Sequence, residues 1–372
     1  MKAAAQAPAR QPHIVIDARM VPISGIGTYI EEIVPRIVAL WSEARFTILG
    51  DQDVLARAIP PTSRVQYRPF DSPIYSISEQ LAYLRLVPRD AMLWVPHYNI
   101  PLFRRGLLVV TVHDVFHLAA PDIPFLRRRY AELLFGAVVR LARLVICNSA
   151  FTAAELQRLA GTPRRLAVVH LGVSPRWSAL PATEPPLAGP YLLAVGNVKP
   201  HKNLKRLVDA FERVAHEIPH RLVIVGRREG LLTLDTEVER MAERLGDRVV
   251  FTGYVSREVL EHYVAGCAAL IQPSLYEGFG LPPLEAMAAG RRVAVSRAGS
   301  LPEVCGPEAD YFDPTDVRSI ADALTRCAMA VDQPEAAMRR RAWAARFDWD
   351  GIAHETQALL AEAFDSGGPS PR

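Results

Sequence analysis

The sequence predicts an α/β protein of two Rossmann-like domains, each an open parallel sheet covered by helices on both faces, facing one another across a central cleft. Three observations predict it. Short apolar runs of strand length alternate with amphipathic helical stretches through both halves, the pattern of strands joined by helical crossovers. Ala179 to Pro190, reading ALPATEPPLAGP, is proline-rich, lacks periodicity and stands between the patterned halves, so it reads as a linker. The length of 372 residues is too great for one typical core and suits two. Ligands of such sheets bind outside the carboxyl ends of the strands, which in two facing halves is the cleft.

In the first half, His13 to Ile16 begins a buried strand, the loop Ser24-Gly25-Ile26-Gly27 follows, and a helical pattern runs from Tyr29 to Leu40. Arg45 to Leu49, Met92 to Val95, Leu107 to Val112 and Leu144 to Cys147 are further strands, with helical segments between them. After the linker, strands are expected at Tyr191 to Val195, Arg221 to Val225, Val249 to Phe251, Ala268 to Ile271 and Val293 to Ser296. Helices are expected from Asn203 to His216, around Thr236 to Leu245, from Arg257 to Ala265 and from Pro283 to Ala289. The expected division is a first domain over 1–178, a linker over 179–190, a second domain over 191–340, a final helix over 341–366 and a tail over 367–372.

Half of the residues are hydrophobic and 22% are charged, as in a globular protein. The formal net charge of +3 is too small to signal nucleic acid, and it would not repel an anionic membrane surface. Cys147, Cys267, Cys305 and Cys327 are scattered, with neither a C-x-x-C pair nor a His-Cys cluster at metal-ligand spacing, which points to reduced thiols in a cytoplasmic protein. Met1 to Pro12 has no signal-peptide core, because Gln6, Pro8, Arg10 and Pro12 interrupt its alanines. No run approaches the roughly 18 apolar residues of a membrane span, so membrane contact would be peripheral. Phe125 to Leu144, with Arg127, Arg128, Arg129, Arg140 and Arg143 among apolar residues, reads equally as a helix lying against an anionic inner membrane face and as an amphipathic helix packed on its own domain.

Glu277 and Glu285 flank the run Gly278-Phe279-Gly280-Leu281-Pro282-Pro283-Leu284. Gly278 and Gly280 let backbone N–H groups approach a ligand, Pro282 or Pro283 suits a first helical turn, and Gly290 ends the helix. The positive helix start favours an anion such as a diphosphate, and the two carboxylates can accept from hydroxyls, one on a sugar and the other on a ribose. The bland reading is a solvated loop residue and a charge at a helix start. Within Gly196-Asn197-Val198-Lys199-Pro200-His201-Lys202-Asn203, Lys202 can act as a point charge that neutralises a departing diphosphate. Its alternative is a solvated lysine, at a helix start whose dipole disfavours a cation.

Gly25 and Gly27 follow the first strand as in a dinucleotide fingerprint, but Ile30 stands where the third glycine belongs, which is weak support for NAD. They still allow backbone to approach something at the strand ends. In Thr111-Val112-His113-Asp114-Val115-Phe116-His117, a helix would put His113 and His117 on one face and suggest zinc, but the apolar strand before them favours a loop. His113 then reads either as catalytic or as a satisfied structural histidine. Asp51-Gln52-Asp53 and Asp348-Trp349-Asp350 have the spacing of a divalent-ion pair, and helix capping is the preferred reading of both.

Eight segments in order carry a family resemblance: SGIGTYIEEI (Ser24 to Ile33), TVHDVFHL (Thr111 to Leu118), CNSAFTAAEL (Cys147 to Leu156), VVHLGVS (Val168 to Ser174), LAVGNVKPHKNL (Leu193 to Leu204), LVIVGRREG (Leu222 to Gly230), VVFTGYVS (Val249 to Ser256) and SLYEGFGLPPLEAMAAG (Ser274 to Gly290). Together they resemble the retaining glycosyltransferases of family 4. The resemblance implies a GT-B architecture, with an acceptor-binding first domain, a donor-binding second domain and a final helix, here RFDWDGIA, crossing back to the first. It implies transfer of a hexose from a nucleotide diphosphate sugar, with retained configuration and neither metal nor other cofactor. Glu277 would lie at the transferred sugar with backbone groups of Phe279 and Gly280, Gly278 and Leu281 belonging to the same donor loop, and Glu285 at the ribose. Lys202 matches the diphosphate-binding position, Gly25 and Gly27 the loop approaching it, His113 a residue near the reacting sugar, and Tyr254 and Val255 the segment beside the base. His201 and Asn197 stand where such enzymes often carry arginine, which leaves Lys202 more alone, with Arg227 as a partner.

The implied chemistry is same-face attack through an oxocarbenium-like ion pair, with the leaving diphosphate accepting the acceptor's proton and the protein supplying position and charge. HDVFHL and SLYEGFGLP look similar to bacterial mannosyltransferases of polysaccharide assembly. They imply mannose from GDP-mannose, delivered to a glycan or lipid-linked oligosaccharide in polysaccharide or lipopolysaccharide biosynthesis, with a UDP-hexose as the rival donor. Three other readings differ in class: an inactive homologue serving as a partner subunit, a nucleotide-sugar epimerase, and a nicotinamide oxidoreductase, which would need the complete fingerprint.

Overall fold

The computed structural model describes residues 11–21, 24–74, 76–121, 123–180, 186–226, 240–241, 243–331 and 333–366. The chain forms two units, one running to Leu171 and resuming at Trp349, the other spanning Gly172 to Asp348.

The first unit contains β1 (His13–Asp17), α1 (Ser24–Leu40), β2 (Arg45–Leu49), α2 (Gln52–Ala58), β3 (Val65–Arg68), α3 (Ile77–Leu86), β4 (Met92–Val95), β5 (Leu108–Val112), α4 (Phe116–Ala119), α5 (Phe125–Leu141), β6 (Leu144–Cys147), α6 (Ala150–Ala160) and β7 (Leu166–Val168). Its strands form one sheet in the order β3-β2-β1-β4-β5-β6-β7, parallel throughout. The central strands are buried along their whole length, which is why they read as continuous apolar runs. The edge strands β3 and β7 escape that reading because they are short and only partly buried. On one face of the sheet, Tyr83 of α3, Phe135 and Val138 of α5 and Leu156 of α6 share a core with Val15, Leu93 and Val110. The strand order reverses between β1 and β4, so the chain leaving them passes the crevice where such sheets bind ligands.

The second unit contains β8 (Tyr191–Val195), α7 (Leu204–Val214), β9 (Arg221–Val225), β10 (Val249–Gly253), α8 (Arg257–Gly266), β11 (Ala269–Gln272), α9 (Leu281–Ala288), β12 (Arg292–Ser296), α10 (Leu301–Cys305), β13 (Asp310–Phe312), α11 (Val317–Met329) and α12 (Pro334–Ala344). The sheet order is β10-β9-β8-β11-β12-β13, again all parallel. Its reversal falls between β8 and β11, so the segments after Val195 and after Gln272 meet at one crevice. Half of the helix expected around Thr236 to Leu245 lies outside the described residues, and Arg227 lies wholly outside them.

The final helix, α13 (Trp349–Asp365), belongs to the first unit. Trp349 lies 6.2 Å from the Tyr29 ring, and Arg36 Nε of α1 donates to Asp350 Oδ1 at 2.7 Å. It begins at residue 349 rather than 341, because residues 341–344 complete α12 of the second unit. There Arg340 is buried and donates to the Gly290 carbonyl at 3.1 and 2.9 Å, and Arg341 Nη2 donates to Ala289 O at 3.0 Å. These contacts satisfy carbonyls at the carboxyl end of α9. The second unit also begins before the proline-rich stretch over 179–190, of which 181–185 are outside the described residues. Val173 N–H donates to Phe347 O at 2.8 Å and Val173 bridges Asp348, which ties 172–178 into that unit.

Of the two aspartate pairs, Asp51 caps α2, accepting from the N–H groups of Asp53 and Val54 at 3.0 Å each. The four cysteines are free and buried. Among the described residues no helix is long and apolar enough to cross a membrane.

Candidate active site

In the second unit, β8 ends at Val195 and a 3-10 turn, Pro200–Lys202, precedes α7. Asn203 joins turn to helix in the left-handed conformation, φ 58°, and its buried amide donates to Pro273 O at 3.0 Å and Pro314 O at 2.7 Å. Leu275 N–H donates to His201 O at 2.8 Å. These bonds fasten the turn after β8 to the loop after β11, and Lys202 and Glu277 meet as a result.

Lys202 Nζ, Gln272 Nε2 and Ser274 Oγ each donate to Glu277 Oε1 at 2.7 Å. Burial works to raise the Glu277 pKa, but the Lys202 ammonium and the hydrogen bonds from Lys202 and Ser274 outweigh it and hold the carboxyl below its ordinary range. Glu277 is therefore an anion with one oxygen saturated by protein donors. Gln272 and Ser274 are functional neighbours that the sequence reading missed. Their signal was the polar Gln272 closing an apolar strand at its carboxyl end.

The loop after Glu277 is held from the other side. Ser300 Oγ donates to Glu277 O at 3.1 Å and to Phe279 O at 2.6 Å. A Cβ on Gly299, where φ is 60°, would lie 2.6 Å from Glu277 O. Phe279 buries its ring edge-on against Phe347 at 6.0 Å. Gly280, at φ 111°, starts α9, and Pro282 follows in the first turn. The helix closes with Gly290 at φ 78°, where Gly290 N–H donates to Met287 O and Arg291 N–H to Ala286 O, both at 2.8 Å. That is the Schellman pattern expected of a glycine stop.

Glu285, half-buried on α9, stands among Trp177, Arg257, Arg176 and Glu261. Burial dominates and pushes its pKa up to about 7, against the opposing pull of the two arginines and of Trp177. It is thus distinct from Glu277, an anion beside a neutralising lysine. Asn197 and Gly278 lie on the same two segments, half-buried. Tyr254 is exposed and Val255 half-buried, both following β10.

In the first unit, His113 follows β5 in a loop and not on a helix with His117; Asp114 Oδ1 accepts the Phe116 N–H at 3.0 Å as the chain turns into α4. His113 Nε2 donates to Pro96 O at 3.1 Å, and its ring packs edge-on against Tyr29 at 4.9 Å. Burial lowers its pKa to about 4, so at neutral pH it is an uncharged imidazole with Nε2 protonated. Below it lies a buried network that the sequence reading did not identify. Asp17 accepts from Arg19 Nη2 at 2.7 Å, from His97 Nε2 at 3.1 Å and from Tyr83 Oη. Glu79 accepts from Arg19 and, through both oxygens at 2.8 Å, from Asn99 Nδ2. The network fastens the segment Pro96 to Asn99, and with it the carbonyl that holds His113.

Gly25 and Gly27 fall in the first turn of α1, not in a loop before it, and neither has positive φ. A Cβ on Gly27 would lie 2.2 Å from Val21 O, whereas nothing lies within 4 Å of one on Gly25. The close approach at Gly27 is thus to the chain's own backbone. Gly27→Ala is expected to lower stability by about 1–3 kcal/mol, as overpacking does, and Gly25→Ala to unfold like the unsubstituted chain, both read from urea denaturation.

Two parallel-sheet units of Rossmann order, the second carrying a lysine-glutamate pair and a glycine-started helix at its switch point, define a GT-B glycosyltransferase. Residues 23–177 match the family Glycosyltransferase Family 4 and residues 189–329 match the family Glycosyl transferases group 1; the chain belongs to these glycosyltransferases. It is similar to the O-antigen chain mannosyltransferase B of Escherichia coli, at 28% identity over 90% of this chain and 95% of that one. It is also similar to the O-antigen chain mannosyltransferase RfbU of Salmonella typhimurium, at 28% identity over 81% and 82%. Anabaena Alr3699/HepE, solved in complex with UDP and glucose, shares the fold with a TM-score of 0.73 at 19% identity, over 94% of this chain and all of that one.

Proposed function

We propose that this glycosyltransferase moves mannose from GDP-mannose to a hydroxyl of a glycan or lipid-linked oligosaccharide, with retained anomeric configuration and without a metal, in the assembly of a bacterial surface polysaccharide on the cytoplasmic side of the membrane. The observation that carries the reaction type is the Lys202–Glu277 pair at the second unit's switch point, beside a helix N-terminus. Lys202 and the N-terminal end of α9, where Leu281 but neither Pro282 nor Pro283 carries an N–H, supply positive charge where a diphosphate leaves. Glu277, kept ionised, accepts hydrogen bonds from hydroxyls of the transferred sugar, and Glu285 accepts them from the ribose. His113, uncharged, presents an imidazole that can hydrogen-bond a sugar without adding charge. The acceptor's proton passes to the leaving diphosphate oxygen, so no protein carboxylate forms a covalent bond.

The choice of mannose rests on the names of the similar enzymes from Escherichia coli and Salmonella typhimurium. A thermal-shift panel of GDP-mannose, UDP-glucose and ADP- and dTDP-sugars tests it. A ligand at about a hundredfold excess over its Kd stabilises the folded state by about 2.7 kcal/mol, so GDP-mannose is expected to raise Tm and the others to leave it unmoved. A shift with UDP-glucose and none with GDP-mannose would overturn the donor assignment.

A further inference from the structure

We propose that α3, the loop after β4 and the start of α5 form one surface that docks the first unit on an anionic phospholipid bilayer. Among the described residues, eight of the sixteen exposed large hydrophobic side chains lie between Ile77 and Leu133. On α3, Ile77, Leu81 and Leu84 line the outer face at helical spacing while Tyr83 faces the core. On α5, Phe125, Leu126 and Leu133 are exposed while Leu134, Phe135 and Val138 are buried. Both helices enter the same core cluster, so they cover the same face of the sheet.

The loop between them fixes them as neighbours. Gln80 Nε2 donates to Ile100 O at 3.2 Å and Gln80 Oε1 accepts from Leu102 N–H at 2.7 Å, which seats the loop on α3. Tyr98 stacks on Phe135 of α5 with ring centroids 4.5 Å apart, and Phe103 projects from the same loop, 72% exposed.

Charge selects the occupant. Arg105, Arg127, Arg128 and Arg129 are exposed along these segments. The acidic groups of α3 and α5 are Glu79, which is buried, and Glu132, which is engaged by Arg128 at 3.5 Å and Arg129 at 2.8 Å. Scattered exposed apolar residues need no explanation, but a cluster of them edged by arginines is the composition that inserts at a headgroup boundary. Juxtaposed cations draw such a surface to anionic lipid and lose that pull as salt rises. Arg104 takes no part, because its guanidinium turns inward to the carbonyls of Leu107, Pro88 and Ala91.

The test is flotation of the full chain with vesicles of phosphatidylcholine alone or with about 30% phosphatidylglycerol, a choice that isolates anionic charge. The expected result is co-flotation with the anionic vesicles only, weakening at high salt. Ile77→Asp/Leu81→Asp on α3 and Phe125→Asp/Leu126→Asp on α5 should each lower bound protein at least about tenfold, with Tm unchanged since all four side chains are exposed. Absence of binding to anionic vesicles, or binding indifferent to both pairs, would overturn the proposal. So would a concentration-dependent dimer that the same substitutions dissolve, which would make the surface a contact between copies. Flotation needs no sugar nucleotide, so its failure is separable from a failure of the donor assignment.

Discussion

Lys202→Ala is expected to lower kcat/KM by about 10²- to 10³-fold, the usual cost of removing one preorganised charge from a leaving group. Its pH profile should move as well. In the intact site the Lys202 ammonium helps hold Glu277 ionised against burial. Without it, burial prevails and the Glu277 pKa rises, so the acid limb of kcat/KM should shift upward in pH. Because the two groups touch, Lys202→Ala/Glu277→Gln should cost less than the sum of the single changes. A Lys202→Ala enzyme with unchanged kcat/KM would remove Lys202 from the mechanism, and additive losses would mean that Lys202 and Glu277 act independently.

Asp17→Asn is expected to destabilise the first unit by about 3–5 kcal/mol, the cost of breaking a buried charge pair by removing one partner. Asp17 is completely buried, and although burial works to raise its pKa, His97 and Arg19 hold it far below the ordinary carboxylate range. A carboxyl depressed on folding contributes stability that is whole above its unfolded pKa, about 3.9, and declines as pH falls from there toward the folded value. The gap between Asp17→Asn and the unsubstituted chain, measured by urea denaturation, should therefore be full at pH 7 and shrink below about pH 4. A gap that stays constant through that range would mean the carboxylate's charge is not what stabilises the network.

Much of the second unit's site was legible because it rests on local backbone chemistry. The run from Gly278 to Gly290 announces a proline in a first turn and a glycine stop, and both occur where the residue types require them. Gly27 shows the limit of the same logic. A glycine signals close approach of backbone, but whether to a ligand or to the chain itself depends on Val21, which helical or strand periodicity does not place. Glu79 shows another limit. Ser76 and Glu79 have the spacing of a capping box, and Ser76 Oγ does accept the Glu79 N–H at 3.1 Å. The Glu79 carboxylate is instead drawn inward by Arg19 and Asn99, a demand that arises only once α3 lies on the sheet.

By itself, then, the sequence determined two parallel sheets, the glycine and proline turns at their carboxyl ends and the residue types available there, because strand burial and turn geometry are written at separations of a few residues. Only the tertiary structure decided which groups meet. Lys202 reaches Glu277 across 75 positions and His97 reaches Asp17 across 80, distances closed by the reversal of strand order between β8 and β11 and between β1 and β4. The same folding decided that α5 both packs on its own domain and leaves Phe125 and Leu126 outward. A helix on one face of a sheet must bury one stripe and expose the other, and the stripe that remains exposed depends on what packs beside it.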